Sequence, residues 1–156
     1  MTEPGKRTKK RGSGGRAGLE GERVVQIRVD SRPETLRLVR AVAGEAAALC
    51  GCGESCIRDI VIAVDEACQN VIRHAYGGNP DGEILIDIRR EGDRIAFNII
   101  DFADPVDVSK VKPRSLEELR PGGLGIHFIS QCMDDARFRS PPDGAGNRLW
   151  MVKRIE

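Results

Sequence analysis

The order of apolar and polar positions divides the chain into short, separately patterned segments. Arg23 to Val29 (RVVQIRV) predicts a first strand, and Asp30, Ser31, Arg32 and Pro33 supply the chemistry of a helix start. Leu36, Val39, Val42, Ala43, Ala46 and Leu49 then recur at helical spacing up to the break at Gly51 to Gly53. A second helix is predicted from near Ser55, with a nearly continuous stripe of Ile57, Ile60, Val61, Val64, Cys68, Val71, Ile72 and Ala75, ended by Tyr76-Gly77-Gly78-Asn79-Pro80. Glu83 to Arg90 and Arg94 to Asp101 are β-rich runs joined by Glu91-Gly92-Asp93, the signal of an antiparallel hairpin in which Ile95, Phe97 and Ile99 share one face.

Asp104 to Pro121 contains Pro105, Pro113 and Pro121, many charges and no sustained apolar period, so a long loop of the kind that serves as a lid is expected there. Gly122-Gly123-Leu124-Gly125 opens a short helix through Cys132, and strands follow near Ala136 to Arg139 and Arg148 to Ile155. The order β-α-α-β-β-lid-α-β-β predicts an α+β fold. Its form is a two-layer α/β sandwich, with three main helices on a mixed, mostly antiparallel sheet.

Composition narrows the reading. The 156 residues, 40% hydrophobic and 31% charged, suit one globular domain. No apolar run approaches the roughly 20 residues that span a bilayer, and the N-terminus lacks the apolar stretch of a secretory signal, so a cytoplasmic location without a membrane partner is expected. The net charge of +1 hides an asymmetry: Met1 to Gly18 holds six Lys or Arg against one acidic residue, which leaves the remainder near −4. Residues 1–22 are therefore expected to be a disordered basic tail, and 23–156 the folded domain. Such a tail suits nucleic acid or an acidic partner, and a solvated extension equally; nucleic-acid tethering ranks last among the functional readings. The five cysteines are odd in number, and C-x-C-x3-C at Cys50, Cys52 and Cys56 lacks paired zinc knuckles, which favours scattered thiols over a metal site.

Neither a P-loop nor a strand-borne G-x-G-x-x-G is present. The polar set on the second helix, Asp65, Glu66, Gln69, Asn70, Arg73 and His74, is the candidate for chemistry. Four helical residues turn about 400°, so Glu66 and Asn70 lie roughly 40° apart on one face. A solvated helix side laced by contacts such as Glu66 to Arg73 would account for the same pattern.

Three segments in order change that weighting. Asp65-Glu66-Ala67-Cys68-Gln69-Asn70-Val71-Ile72-Arg73-His74-Ala75-Tyr76 resembles the N box of the histidine-kinase-like ATPase superfamily, in the D-E-A-x-x-N-x-x-x-H-A-Y form of anti-sigma serine kinases. Asp101-Phe102-Ala103-Asp104-Pro105 resembles the adenine box, and Arg120-Pro121-Gly122-Gly123-Leu124-Gly125-Ile126-His127 the glycine-rich box that closes on phosphate. Gly146 to Lys153 is similar to the family's last strand, and the resemblance covers roughly residues 24 to 154.

The resemblance implies a Bergerat-type ATP-binding fold and an ATP- and Mg²⁺-dependent serine-protein kinase. Such a kinase doubles as an anti-sigma factor, with a sigma factor and a small STAS-type anti-anti-sigma protein as partners, and forms a homodimer. By the same resemblance Glu66 would be the catalytic base, Asn70 the Mg²⁺ ligand, and Asp101 the acceptor for the adenine amine, with Ala103 beside it. Gly123, Leu124, Gly125 and Ile126 would meet the phosphates, and His74 would lie near the nucleotide, or else be a packed helix histidine. Ala103 stands where glycine is common, and Asn147 where a threonine often touches adenine. These two departures motivate the alternative of a non-catalytic, ATP-gated protein-binding module.

Overall fold

A computed structural model of the chain describes residues 18–105 and 124–156, with the backbone alone for 124–126. The tail up to residue 17, the long loop after Pro105, and Gly122 and Gly123 lie outside the described residues. The elements run β1 (Glu22–Asp30), α1 (Leu36–Leu49), α2 (Glu54–Asn70), β2 (Glu83–Glu91), β3 (Arg94–Asp101), α3 (Leu124–Cys132), β4 (Asp135–Arg139) and β5 (Asn147–Arg154).

Each boundary has a local cause. Pro33 opens a single 3-10 turn before α1, where its fixed φ and missing N–H cost nothing, and the Thr35 hydroxyl donates to the carbonyls of Asp30 and Arg32. Of the four residues read as helix-start chemistry, Ser31 makes no cap: its hydroxyl is buried and has no hydrogen-bond partner among the described residues. The Gly51 to Gly53 break lets the chain reverse between α1 and α2, with Gly51 at φ +97°, a conformation that favours glycine.

The sheet order is β1-β2-β3-β5-β4, and every pairing among the described residues is antiparallel. The mixed pairing anticipated from the sequence gives way because β5 slots between β3 and β4. Those two strands run in one direction but never meet. Pairing sets Ile84, Ile86 and Ile88 of β2 opposite Asp101, Ile99 and Phe97 of β3, and Met151, Leu149 and Asn147 of β5 continue those rows.

This face carries the core, because alternate strand residues point the same way. It packs against Leu36, Val39, Ala43, Ala46 and Ala47 of α1, against Ile60, Ala63, Val64 and Ala67 of α2, and against Ile129 of α3. All five cysteines are buried free thiols that pack as small apolar groups. Burial and the neighbouring Asp65 charge push the Cys68 thiol up to about 12.

The outer face of the sheet is buried at its centre by its own polar side chains. Asp87 receives hydrogen bonds from Arg23, Gln26 and Arg89, and Arg148 donates to Asn98 at 2.8 Å. Arg139 lies 3.6 Å over the Trp150 ring. Just before β1, the carbonyls of Leu19 and Gly21 accept from Arg89. No described helix is long and apolar enough to cross a membrane.

Candidate nucleotide site

The polar residues of α2 separate into two sets. Asp65 accepts from Arg40 of α1 at 2.8 Å and from Gln69 at 2.6 Å, and Gln69 accepts from Arg73 at 2.6 Å. These i,i+4 contacts make a closed ladder along one side of the helix. The side chains of Glu66 and Asn70, a turn apart and half-buried, make no hydrogen bond or ion pair among the described residues. The solvated-ladder alternative thus holds for Asp65, Gln69 and Arg73, while the Glu66 carboxylate and Asn70 carboxamide remain uncommitted.

Asn70 is the last α-helical residue. Val71–Ala75 form a π-helical turn, closed by the Tyr76 amide bonding the Val71 carbonyl at 3.0 Å, where the sequence pattern predicted a continuous α-helix. Such turns favour functional sites. His74 is exposed on this turn. The chain then brings Tyr76 back onto the sheet: its hydroxyl donates to the Glu83 carbonyl at 2.6 Å and accepts the Phe102 N–H at 2.8 Å. Gly82 makes room for the ring, since a Cβ there would come within 2.6 Å of it.

Asp101 ends β3 and is 4% exposed. Its Oδ1 accepts the Ala103 N–H at 3.1 Å and the Asn147 side-chain amide at 2.9 Å. The first bond is an Asx-type turn and the second follows from the β3–β5 register, which pairs Asp101 with Asn147 directly. Burial raises the Asp101 pKa, and the bonds from Asn147 and Ala103 oppose that rise. Oδ2 makes no hydrogen bond among the described residues, which leaves one acceptor open at the strand end.

Next to this carboxylate, the Gly146 amide bonds the Asp101 carbonyl at 2.8 Å, and a Cβ on Gly146 would overlap the Ala103 carbonyl. Phe102 is partly exposed beneath Arg28, which is itself paired with Glu83 at 2.9 Å. Leu124, Gly125 and Ile126 form the first turn of α3, and Gly123 lies outside the described residues. His127 is exposed.

The structure therefore joins Tyr76, Phe102, Asp101, Ala103, Gly146 and Asn147 by hydrogen bonds and contact. Sequence reasoning missed Tyr76 and Gly146 as positioning residues; the only signals were the terminal Tyr of the N box and a glycine beside Asn147.

The donor set suits hard chemistry. Asn70 and Glu66 offer oxygen ligands, and among the described residues no group of three or more His, Cys, Asp or Glu is arranged to hold a metal. A divalent ion here would take its remaining ligands from phosphate and water, as Mg²⁺ does.

Known proteins resemble this chain in sequence and in fold. Residues 29–153 match the model of the histidine kinase-like ATPase domain. The serine-protein kinase RsbW of Oceanobacillus iheyensis is 31% identical over 124 residues, covering 74% of this chain and 78% of that protein. RsbW of Bacillus subtilis is 27% identical with the same coverage. Among solved structures, the RsbU and RsbW domains of a Mycobacterium tuberculosis protein superpose with a TM-score of 0.60 at 22% identity, over 84% of this chain and 31% of that one. This chain thus spans about a third of that structure. The catalytic domain of histidine kinase ThkA in nucleotide-free form superposes with a TM-score of 0.52 at 12% identity, over 85% of this chain and 98% of that one, and both structures bear on the fold alone. With the matched family model spanning most of its length, the chain belongs to the histidine kinase-like ATPase domain family, in the branch of the RsbW serine-protein kinases.

Proposed function

We propose that this protein is an ATP- and Mg²⁺-dependent serine-protein kinase that acts as an anti-sigma factor in a partner switch. Its substrate would be a serine on a small STAS-type antagonist, and the unphosphorylated antagonist would compete with a sigma factor for the kinase. The observation that carries the reading is the division of α2. Its ladder residues are satisfied, whereas Glu66 and Asn70 present uncommitted oxygens one turn apart. Kinship with RsbW serine-protein kinases supports it.

In this reading Asp101 Oδ2 accepts the exocyclic amine of adenine, with Ala103 at the base edge. Asn70 would hold Mg²⁺ through its side-chain oxygen, and the bound ion would neutralise phosphate charge. Glu66 accepts the proton of the attacking serine hydroxyl or orients that hydroxyl. Backbone amides of Gly123, Leu124, Gly125 and Ile126 meet the phosphates at the start of α3, and His74 flanks the nucleotide. The basic tail leads into a folded unit that β1 opens at Glu22, one residue ahead of the 23–156 boundary expected from the sequence. The protein works in the cytoplasm as a homodimer.

The test mixes the full chain with labelled ATP, Mg²⁺ and an antagonist encoded nearby in its genome, alongside Glu66→Ala and Asn70→Ala. Phosphate on an antagonist serine, lost by about 10²-fold or more in Glu66→Ala, is the expected result. ATP binding with no transfer to any such antagonist would instead make the protein a nucleotide-gated binding module.

A further inference from the structure

The bonds at Asp101 are unevenly shared between its two oxygens. Oδ1 receives two N–H donors, from Ala103 at 3.1 Å and from Asn147 Nδ2 at 2.9 Å, while Oδ2 receives none among the described residues. Neither N–H can accept a hydrogen bond, so a proton on this carboxyl could sit only on Oδ2. An ionised Oδ2 is purely an acceptor, the partner for a 6-amino purine. A protonated Oδ2 is a donor, the partner for a 6-oxo purine, since adenine presents N6–H₂ and guanine-type bases present O6.

Resting on the ATP-pocket reading above, we propose that Asn147 is the positioning residue for nucleobase choice: by holding Oδ1 it fixes Oδ2 of Asp101 as an acceptor and selects a 6-amino over a 6-oxo purine. The Ala103 amide belongs to the backbone of the turn and is shared by any side chain placed at 147. Among the described residues, Asn147 is the one side chain whose removal strips a donor from the carboxylate. Burial, the opposing influence, favours the neutral acid, so losing that donor carries Asp101 further toward protonation.

Among the described residues, the charged and titratable side chains around Asp101 do not compete for this role. Tyr76 is bonded to Glu83 and Phe102 through its hydroxyl, and Arg28 and Glu83 pair with each other. Arg148, next to Asn147, is on the opposite face and bonded to Asn98. On α2, Asp65 is held by Arg40 and Gln69, while Glu66 and His74 belong to the face assigned to the phosphates and the ion. Asp104 follows the turn and is exposed. The shift at Asp101 arises from burial, Asn147 and the Ala103 amide.

The experiment measures affinities of the full chain for ATP and for inosine triphosphate, its 6-oxo counterpart, by calorimetry with Mg²⁺, from about pH 8.5 down to the lowest pH at which the protein stays folded, toward the ordinary aspartate value of 3.8. Wild type should prefer ATP by at least about tenfold at the alkaline end and lose that preference as pH falls. Asn147→Ala should begin to lose it at higher pH. Asn147→Asp, which keeps the shape but places a second carboxyl beside the first, should lose it at higher pH still, and serves if the alanine variant fails to fold. Identical preference profiles in wild type and both variants would overturn the role of Asn147 and leave the ATP pocket standing. Failure of wild type to bind either nucleotide at any pH would overturn the pocket and this proposal together.

Discussion

The Tyr76 hydroxyl accepts the Phe102 N–H at 2.8 Å, which ties the end of the N-box helix to the turn after β3. The same oxygen donates to Glu83, so one phenol joins three segments. Tyr76→Phe removes both bonds and keeps the ring over Gly82. Because water reaches this site, the expected cost is about 1 kcal/mol, read as a lower urea midpoint with unchanged slope. Nucleotide affinity should fall more than stability alone requires, by about three- to tenfold, as the adenine-box turn is released from α2.

Gly146→Ala tests a close backbone approach. The added methyl would overlap the Ala103 carbonyl, and neither is the free end of a flexible side chain. The loops must part, breaking the Gly146 bond to the Asp101 carbonyl. A loss of about 1–3 kcal/mol in chemical denaturation is expected, together with loss of ATP binding; wild-type stability in this variant would contradict the packing described.

Asp101 should be a stability cost retained for binding. Its folded pKa is raised above the ordinary aspartate value of 3.8, so between the two values the folded protein holds a proton that the unfolded chain has released. Stability contributed by this group is complete below 3.8 and is lost as pH rises through the elevated value. Asp101→Asn removes that dependence. Melting temperatures of the nucleotide-free proteins should diverge in favour of the variant as pH rises above about 4, while ATP binding is abolished.

On the outer face, Asp87 is fully buried and meets Arg23, Gln26 and Arg89. Arg89 is mostly buried with it, so Asp87→Ala leaves a desolvated guanidinium with its carbonyl partners but without the Asp87 charge. A destabilisation of about 3 kcal/mol is expected by calorimetry, and Asp87→Asn, which retains an acceptor oxygen, should lose less.

The sequence made the local order of elements legible because each strand and helix has its own period. The hairpin of β2 and β3 and the pairing of Glu66 with Asn70 on one helical face could be read directly. Contacts between distant segments could not. The bond from Asn147 to Asp101 spans 46 positions and exists only in the register that places β5 beside β3. Gly146 looks like an ordinary turn glycine until the Ala103 carbonyl is found against it. The α-helical stripe through Ile72 and Ala75 gave no warning of the π turn, whose hydrogen bonds shift by one residue without changing which side chains are apolar.

That surplus residue gives the two ends of the helical segment separate anchorage. The part of α2 ahead of Asn70 is keyed to the core through Ile60, Val64 and Ala67, whereas Tyr76 is keyed to β2 and the turn beyond β3. A strict α-helix would transmit any rotation of one end rigidly to the other. The wider turn between them acts as a slack coupling, so adjustments around the base need not twist the carboxylate and carboxamide out of alignment.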